Sequence, residues 1–172
     1  MVIDIVDATE ASDRHEVDTI ILAGGDPIVF YGMSGAVNQV VSDIIRKAVL
    51  PKSIELLRFH GHGAPGMMNI AAGTQAMFVH QSGISLGNLQ SVKAELSRLR
   101  PYFAPNGRVE FHGCNVADGK DGQDFLSQLA KIIGVPVSAG TQSQYGGGKN
   151  QFKFEGSVHT AKPDGSMMCG FP

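Results

Sequence analysis

Apolar and polar positions recur along this chain with two periods, and the switches between them lay out its elements. From Ser34 to Val49 the apolar residues Val37, Val40, Val41, Ile44, Ile45 and Ala48 fall three and four apart, with Ser34 as N-cap and Pro51 just past the end. That spacing predicts an amphipathic helix. Leu86 to Leu99 repeats it with Leu89, Val92, Leu96 and Leu99 on one face. Gly122 to Ile133 does so again with Phe125, Leu126, Leu129, Ile132 and Ile133, and Gly134 as its stop. Between the helices lie short apolar runs bounded by turn residues, which predict strands. These are Thr19 to Leu22, closed by Ala23-Gly24-Gly25-Asp26-Pro27, then Ile28 to Tyr31, Ile54 to Phe59, Arg108 to His112 and Val135 to Ser138. Met67 to Ile70 and Ala76 to His80 predict a hairpin, and Phe152, Phe154 and Val158 alternate in a last strand with one wet face. Strand, helix, strand in this order implies parallel crossovers. The fold class expected is therefore α/β, a three-layer sandwich with a mainly parallel central sheet and a C-terminal strand or hairpin. Residues 1–17 mix Asp, Glu and Ser and read as a flexible arm with one short strand at Val2 to Val6, ahead of a single domain over 18–172.

Composition narrows the setting without changing that picture. A chain of 172 residues can bury roughly 70% of the surface its unfolded form exposes. The 42% hydrophobic and 17% charged residues are those of an ordinary globular protein, and 22 Gly and 8 Pro predict many tight loops. Lys plus Arg number 14 against 16 Asp plus Glu, a net charge of -2, and they are scattered, which argues against a nucleic-acid or anionic-membrane surface. The longest apolar runs are about five or six residues, far short of the ~20 of a membrane span. Two cysteines, one of them Cys169 in the tail, make no disulfide framework and read as free thiols of a reducing compartment. The expected location is the cytoplasm, or the exterior by a leaderless route as part of a larger protein.

Two of the strands end alike. Ile54 to Phe59 runs into His60-Gly61-His62-Gly63, and Val109 to Phe111 runs into His112-Gly113-Cys114-Asn115-Val116-Ala117. If they are parallel neighbours, an imidazole and a thiol meet at the carboxyl edge of the sheet, where such folds hold their ligands. Cysteine attacks as thiolate and a nearby imidazole takes its proton. Cys114 is thus the candidate nucleophile, with His60 or His62 as the base. The amides of Gly63 and Cys114 are the natural donors to an oxyanion. A lone cysteine at the end of a buried strand is ordinarily an inert core thiol, and the paired His-Gly run is what points to chemistry.

The His-Gly run, followed 52 positions later (114 − 62) by an apolar run ending in Cys, resembles the caspase-like superfamily of cysteine peptidases (clan CD), which includes legumain, gingipain, clostripain and separase. Gly61-His-Gly-Ala-Pro-Gly66, His112-Gly-Cys-Asn-Val-Ala117, Gly122-Gln-Asp-Phe125 and the Ala139 to Gly148 loop leading to Phe152-Lys-Phe-Glu155 are most similar to a bacterial caspase-like domain at the front of large secreted, adhesin-like proteins. The autoprocessing cysteine peptidase domains of bacterial toxins are similar too. The resemblance implies an endopeptidase with Cys114 as nucleophile, His62 as general base and acid, no third triad member and no cofactor. Its partner would be a peptide or protein substrate, the parent chain among the candidates, with no nucleic acid or membrane. By the same resemblance His112 and Ser138 to Thr141 line the pocket for the side chain preceding the cut, and Asp26 on the first loop hints at a basic partner there.

Two other chemistries fit the same residues. His60, His62, His112 and Cys114 occupy like-facing positions on the two strands, and a His3Cys zinc site needs ligands ~2.0 to 2.3 Å from the metal. A third possibility is the same fold kept as a binding module without turnover.

Overall fold

The computed structural model describes residues 1–9, 14–31, 36–70, 83–144 and 153–171. The expected N-cap Ser34, the second hairpin segment Ala76 to His80, the glycine-rich stretch 145–148 and Phe152 lie outside the described residues.

The short strand expected at Val2 to Val6 is present, and the correction is to the arm around it, because the strand lies inside the sheet. Val2–Asp7 forms strand β1, buried from Ile3 onward, and it pairs in parallel with β2 (Ile28–Phe30) on one side and β3 (Ile54–His60) on the other. Two aspartates in six residues disguise a strand whose faces are both covered. Its partner in the second correction is Arg14–Leu22, which is helix α1 and not a strand over Thr19 to Leu22. The apolar β-branched run favours a strand locally, but Val17 and Ile20 fall three apart and pack on Val6 and Ala8, so tertiary contact overrides propensity. Ile21 and Leu22 stay exposed.

The remaining order follows the sequence pattern with small changes of boundary. After α2 (Ala36–Ala48) and β3 come β4 (Gly63–Ala64), β5 (Met67–Met68) and β6 (Ile84–Ser85), then α3 (Leu89–Ser97) and a single 3-10 turn (Arg100–Tyr102). β7 (Phe103–His112), α4 (Gly119–Ile133), β8 (Val137–Gly140), β9 (Val158–Ala161) and β10 (Met167–Cys169) complete the chain. β7 starts five residues earlier than its apolar run because a bulge takes up the slack: the register jumps from Ile54↔Phe103 to Leu56↔Arg108.

Seven strands form one sheet in the order β10-β9-β8-β7-β3-β1-β2, parallel from β2 to β8, with β9 and β10 antiparallel at one edge. β4, β5 and β6 make a separate three-stranded sheet. Alternate residues divide the faces. Ile3, Ile5, Leu57, Phe59, Val109 and Phe111 belong to the large core with the apolar stripes of α2, α3 and α4, whereas Val6 and Ala8 meet α1 in a small second cluster. This is a three-layer α/β sandwich with a mainly parallel central sheet. The chain leaves β1 toward β2 on one side and reaches β3, β7 and β8 on the other. The crevice of such a switch opens at the carboxyl ends of β1 and β3. Among the described residues no helix is long and apolar enough to cross a membrane.

Candidate active site

β3 and β7 are parallel neighbours in register, His60 opposite His112. Beyond that pair both chains turn into glycine. A Cβ on Gly113 would stand 3.1 Å from the Gly61 carbonyl oxygen and 3.2 Å from Gly63 Cα, and one on Gly63 would stand 3.0 Å from the Cys114 oxygen and 2.6 Å from Val116 Cγ2. The His62 loop and the Cys114 loop therefore touch backbone to backbone, an approach only glycine permits. The β4–β5 hairpin fixes the first loop. Asn69 N donates to His62 O at 2.9 Å, and Gly66 N donates to Val116 O at 3.1 Å, tying the hairpin tip to the cysteine turn. In an antiparallel ladder bonded and non-bonded pairs alternate. With His62 and Asn69 bonded, the next pair, Gly63 and Met68, is a non-bonded one, and the Gly63 N–H points away from β5. Among the described residues the Cys114 amide donates to no backbone carbonyl. The two amides expected to hold an oxyanion are thus left outside the ladders. Asn115, next to the thiol, takes a left-handed backbone (φ 57°) that bends the chain toward α4.

Cys114 is half-buried and Cys169 exposed, and both are free thiols. Cys114 Sγ meets one residue in particular: the Gln144 N–H donates to it at 3.3 Å, and the thiol donates to Gln144 O at 3.4 Å. His62 is half-buried on the facing loop.

The other candidates are placed differently. His60 is 1% exposed and locked on the α1 face of the sheet, Nδ1 at 2.9 Å from Glu16 Oε1 and Nε2 at 3.0 Å from Asp4 Oδ1. Asp4 also accepts two bonds from Arg58, at 2.6 and 3.1 Å. Burial pushes the His60 pKa down, but the hydrogen bonds and charges of Asp4 and Glu16 outweigh it, so it stands above the ordinary histidine value. Burial likewise pushes Asp4 up, and His60 and Arg58 reverse this to leave it below the usual carboxylate value.

His112 is buried in a ring stack. Its ring lies between His60 (centroids 5.0 Å apart) and Phe154 (4.3 Å), with the Phe171 ring tilted against Phe154 beyond. Nε2 contacts Glu110 Oε2 at 3.2 Å. Burial drives the His112 pKa down; the Glu110 bond opposes it, the His60 charge adds to it, and the result is below the ordinary value. Glu110, raised by burial, is brought below its usual value by His112 and Arg108. Ser138 is wholly buried and shares a 2.7 Å hydrogen bond with Thr160. Asp26 lies ahead of β2, at the amino edge of the sheet, where it pairs with Lys47 at 2.5 Å. Of the four pocket residues only Thr141, half-buried with its N–H on Ser157 O at 3.0 Å, stands in the loop that reaches Cys114. The zinc alternative fails on the same geometry, because the four side chains do not converge, and among the described residues no group of three or more metal-capable side chains could hold an ion.

The sequence holds only an ambiguous trace of the buried ion cluster, one that a solvent-facing strand would show equally. Arg58-Phe-His60 and Glu110-Phe-His112 each put polar residues two apart inside a strand, as Asp4 does in β1. For the contact of Gln144 with Cys114 it contains none.

The profile of the family described as "Domain of unknown function (DUF4347)" matches residues 28–152, a span that includes both His62 and Cys114. The chain belongs to that family. No curated protein and no solved structure matches it.

Proposed function

We propose that this DUF4347 chain is a cysteine endopeptidase of caspase-like type, working through a Cys114/His62 dyad. The observation that carries the reading is the glycine-to-glycine contact of the two loops, which brings the histidine-bearing turn against the cysteine turn at the carboxyl edge of a parallel sheet. The Gly63 and Cys114 amides, unused by the strand ladders, add to it.

In the reaction, His62 takes the thiol proton and Cys114 Sγ attacks the carbonyl carbon of the scissile peptide. The charge that develops on oxygen is met by the Gly63 and Cys114 N–H groups. The tetrahedral species collapses as His62 returns the proton to the leaving amine, which leaves a thioester on Cys114. Water, deprotonated by His62, then hydrolyses the thioester and frees the thiol. Substrates are peptides or proteins, the parent chain among them.

Hydrolysis of a peptide library, with a peptidyl ketone as covalent probe read by mass spectrometry, tests this. Cys114→Ala and His62→Ala should each lose at least about 10³-fold in turnover with an unchanged melting curve. Wild-type protein that cleaves no better than Cys114→Ala, and takes up no probe, would favour the binding-module reading.

A further inference from the structure

Residues 142–144 cross directly over the nucleophile, and they are seated there by more than the thiol. Asn115 N donates to Gln142 O at 2.9 Å, which pins the segment to the residue after the cysteine. The Gln144 carboxamide then closes a clamp: Nε2 donates to Gln142 O at 3.0 Å and to Glu155 O at 2.9 Å, while Oε1 accepts from Glu155 N at 3.0 Å. Both glutamines rest on glycines. A Cβ on Gly140 would stand 2.6 Å from Gln144 Nε2, and one on Gly156 (φ +78°) would overlap the Gln142 carboxamide. The seat is built to take these two side chains.

We propose that residues 142–144 form an autoinhibitory strap, its Gln144 main chain occupying the ground in front of Cys114 Sγ that a substrate backbone has to enter. The proposal rests on the peptidase reading of Cys114 and adds a closed resting state to it. A substrate reaching the sulfur must first displace the two Gln144 contacts to Sγ and break the clamp to Glu155.

The strap is held as a blocker and not as a substrate. Its carbonyl faces the sulfur through oxygen, as an acceptor of the thiol proton. Nucleophilic attack requires approach to the carbonyl carbon, behind the oxygen, along the Bürgi–Dunitz direction. Cys114 in this position cannot add to Gln144, so the strap survives its own enzyme.

Alkylation by iodoacetamide with peptide mass mapping reads the strap without relying on catalysis, and the exposed Cys169 serves as reference in the same molecule. Gln144→Ala removes three clamp bonds and should raise the labelling rate of Cys114 at least about tenfold relative to Cys169. Equal ratios in the wild type and the variant would overturn the strap. If the variant labels fast yet hydrolyses no peptide, the strap stands and the peptidase reading falls. If the wild type hydrolyses peptides at the variant's rate, the reverse holds. Should Gln144→Ala fail to fold, the wild type in urea below its unfolding midpoint decides. Cys114 labelling that climbs while the amides of α4 remain protected supports a local strap, and labelling that rises only with global unfolding contradicts it.

Discussion

Both ring nitrogens of His60 lie within 3.0 Å of a carboxylate oxygen, and a neutral imidazole has only one N–H to give. The protonated ring suits this site best, in keeping with its raised pKa, and with both nitrogens engaged between Asp4 and Glu16 His60 offers no free nitrogen to take a thiol proton. That separates it from His62 two positions on. His60→Ala leaves Asp4 with Arg58 and takes from buried Glu16 its imidazole partner, and breaking such a cluster costs about 3–5 kcal/mol. Urea denaturation should show that loss, whereas His62→Ala should stay within about 1 kcal/mol of the wild type. Peptide hydrolysis that survives His62→Ala and vanishes in a stably folded His60→Ala would reverse the assignment. The glycine-flanked pair His62 and Cys114 can be read from the sequence because both residues close apolar runs. The partners of His60 cannot, since they come from 44 and 56 positions away and polar residues two apart in a strand also read as a wet face.

At the level of elements α1 is the one misread in type, while β1 is read as a strand but placed in an arm rather than inside the sheet. Three helices and the strands β3, β7 and β8 follow from periodicity because each has a one-sided or continuous apolar stripe. β1 has neither: Asp4 faces Arg58 and His60, and Asp7 ends the strand by accepting Thr9 N at 3.1 Å. α1 is short, with only Ile20 and Glu16 fully buried, so its burial is set by what the sheet offers. Glu16 is the chief polar link of α1 to the sheet. Glu16→Ala should speed amide exchange across Arg14–Leu22 at least about tenfold while α4 keeps its protection. Uniform exchange changes in both helices would mean that α1 is no separate unit.

At the scale of the whole molecule, Asp4, Glu16, His60, Glu110 and His112 gather on the α1 face of the sheet, and its titrating groups respond to pH in opposite senses. His60 has a raised pKa, so its contribution is full below about pH 6.5 and is lost as pH rises through the folded value. His112 has a lowered one, so its contribution is full above about pH 6.5 and is lost as pH falls. Asp4 and Glu110, both lowered, contribute above their ordinary values and fail as pH drops through the folded ones. The two histidine windows meet near about pH 6.5, His60 losing its contribution above it and His112 below it, and three groups act together in acid. Melting temperature against pH should pass through a maximum near about pH 6.5, decline toward alkaline pH as His60 loses its proton, and fall steeply in acid. His112→Phe keeps a ring in the stack while removing one acid-sensitive group and the partner of Glu110, so its acid limb should lie at lower pH. An acid limb that does not move would contradict this account. The fold class is readable from the order of apolar runs, but the sheet's charged face is not, because it exists only once β1, β3 and β7 lie side by side.

The strap's anchors also have a place in time. His62, Cys114 and their strands leave the ribosome before Glu155 and Gly156, which lie about 40 residues further on. At about 5–20 residues per second that gap is about 2 to 8 s of synthesis. The Cys114 thiol is made first and the residues that clamp the segment over it last, so a ribosome stalled within that interval would hold the thiol without its clamp.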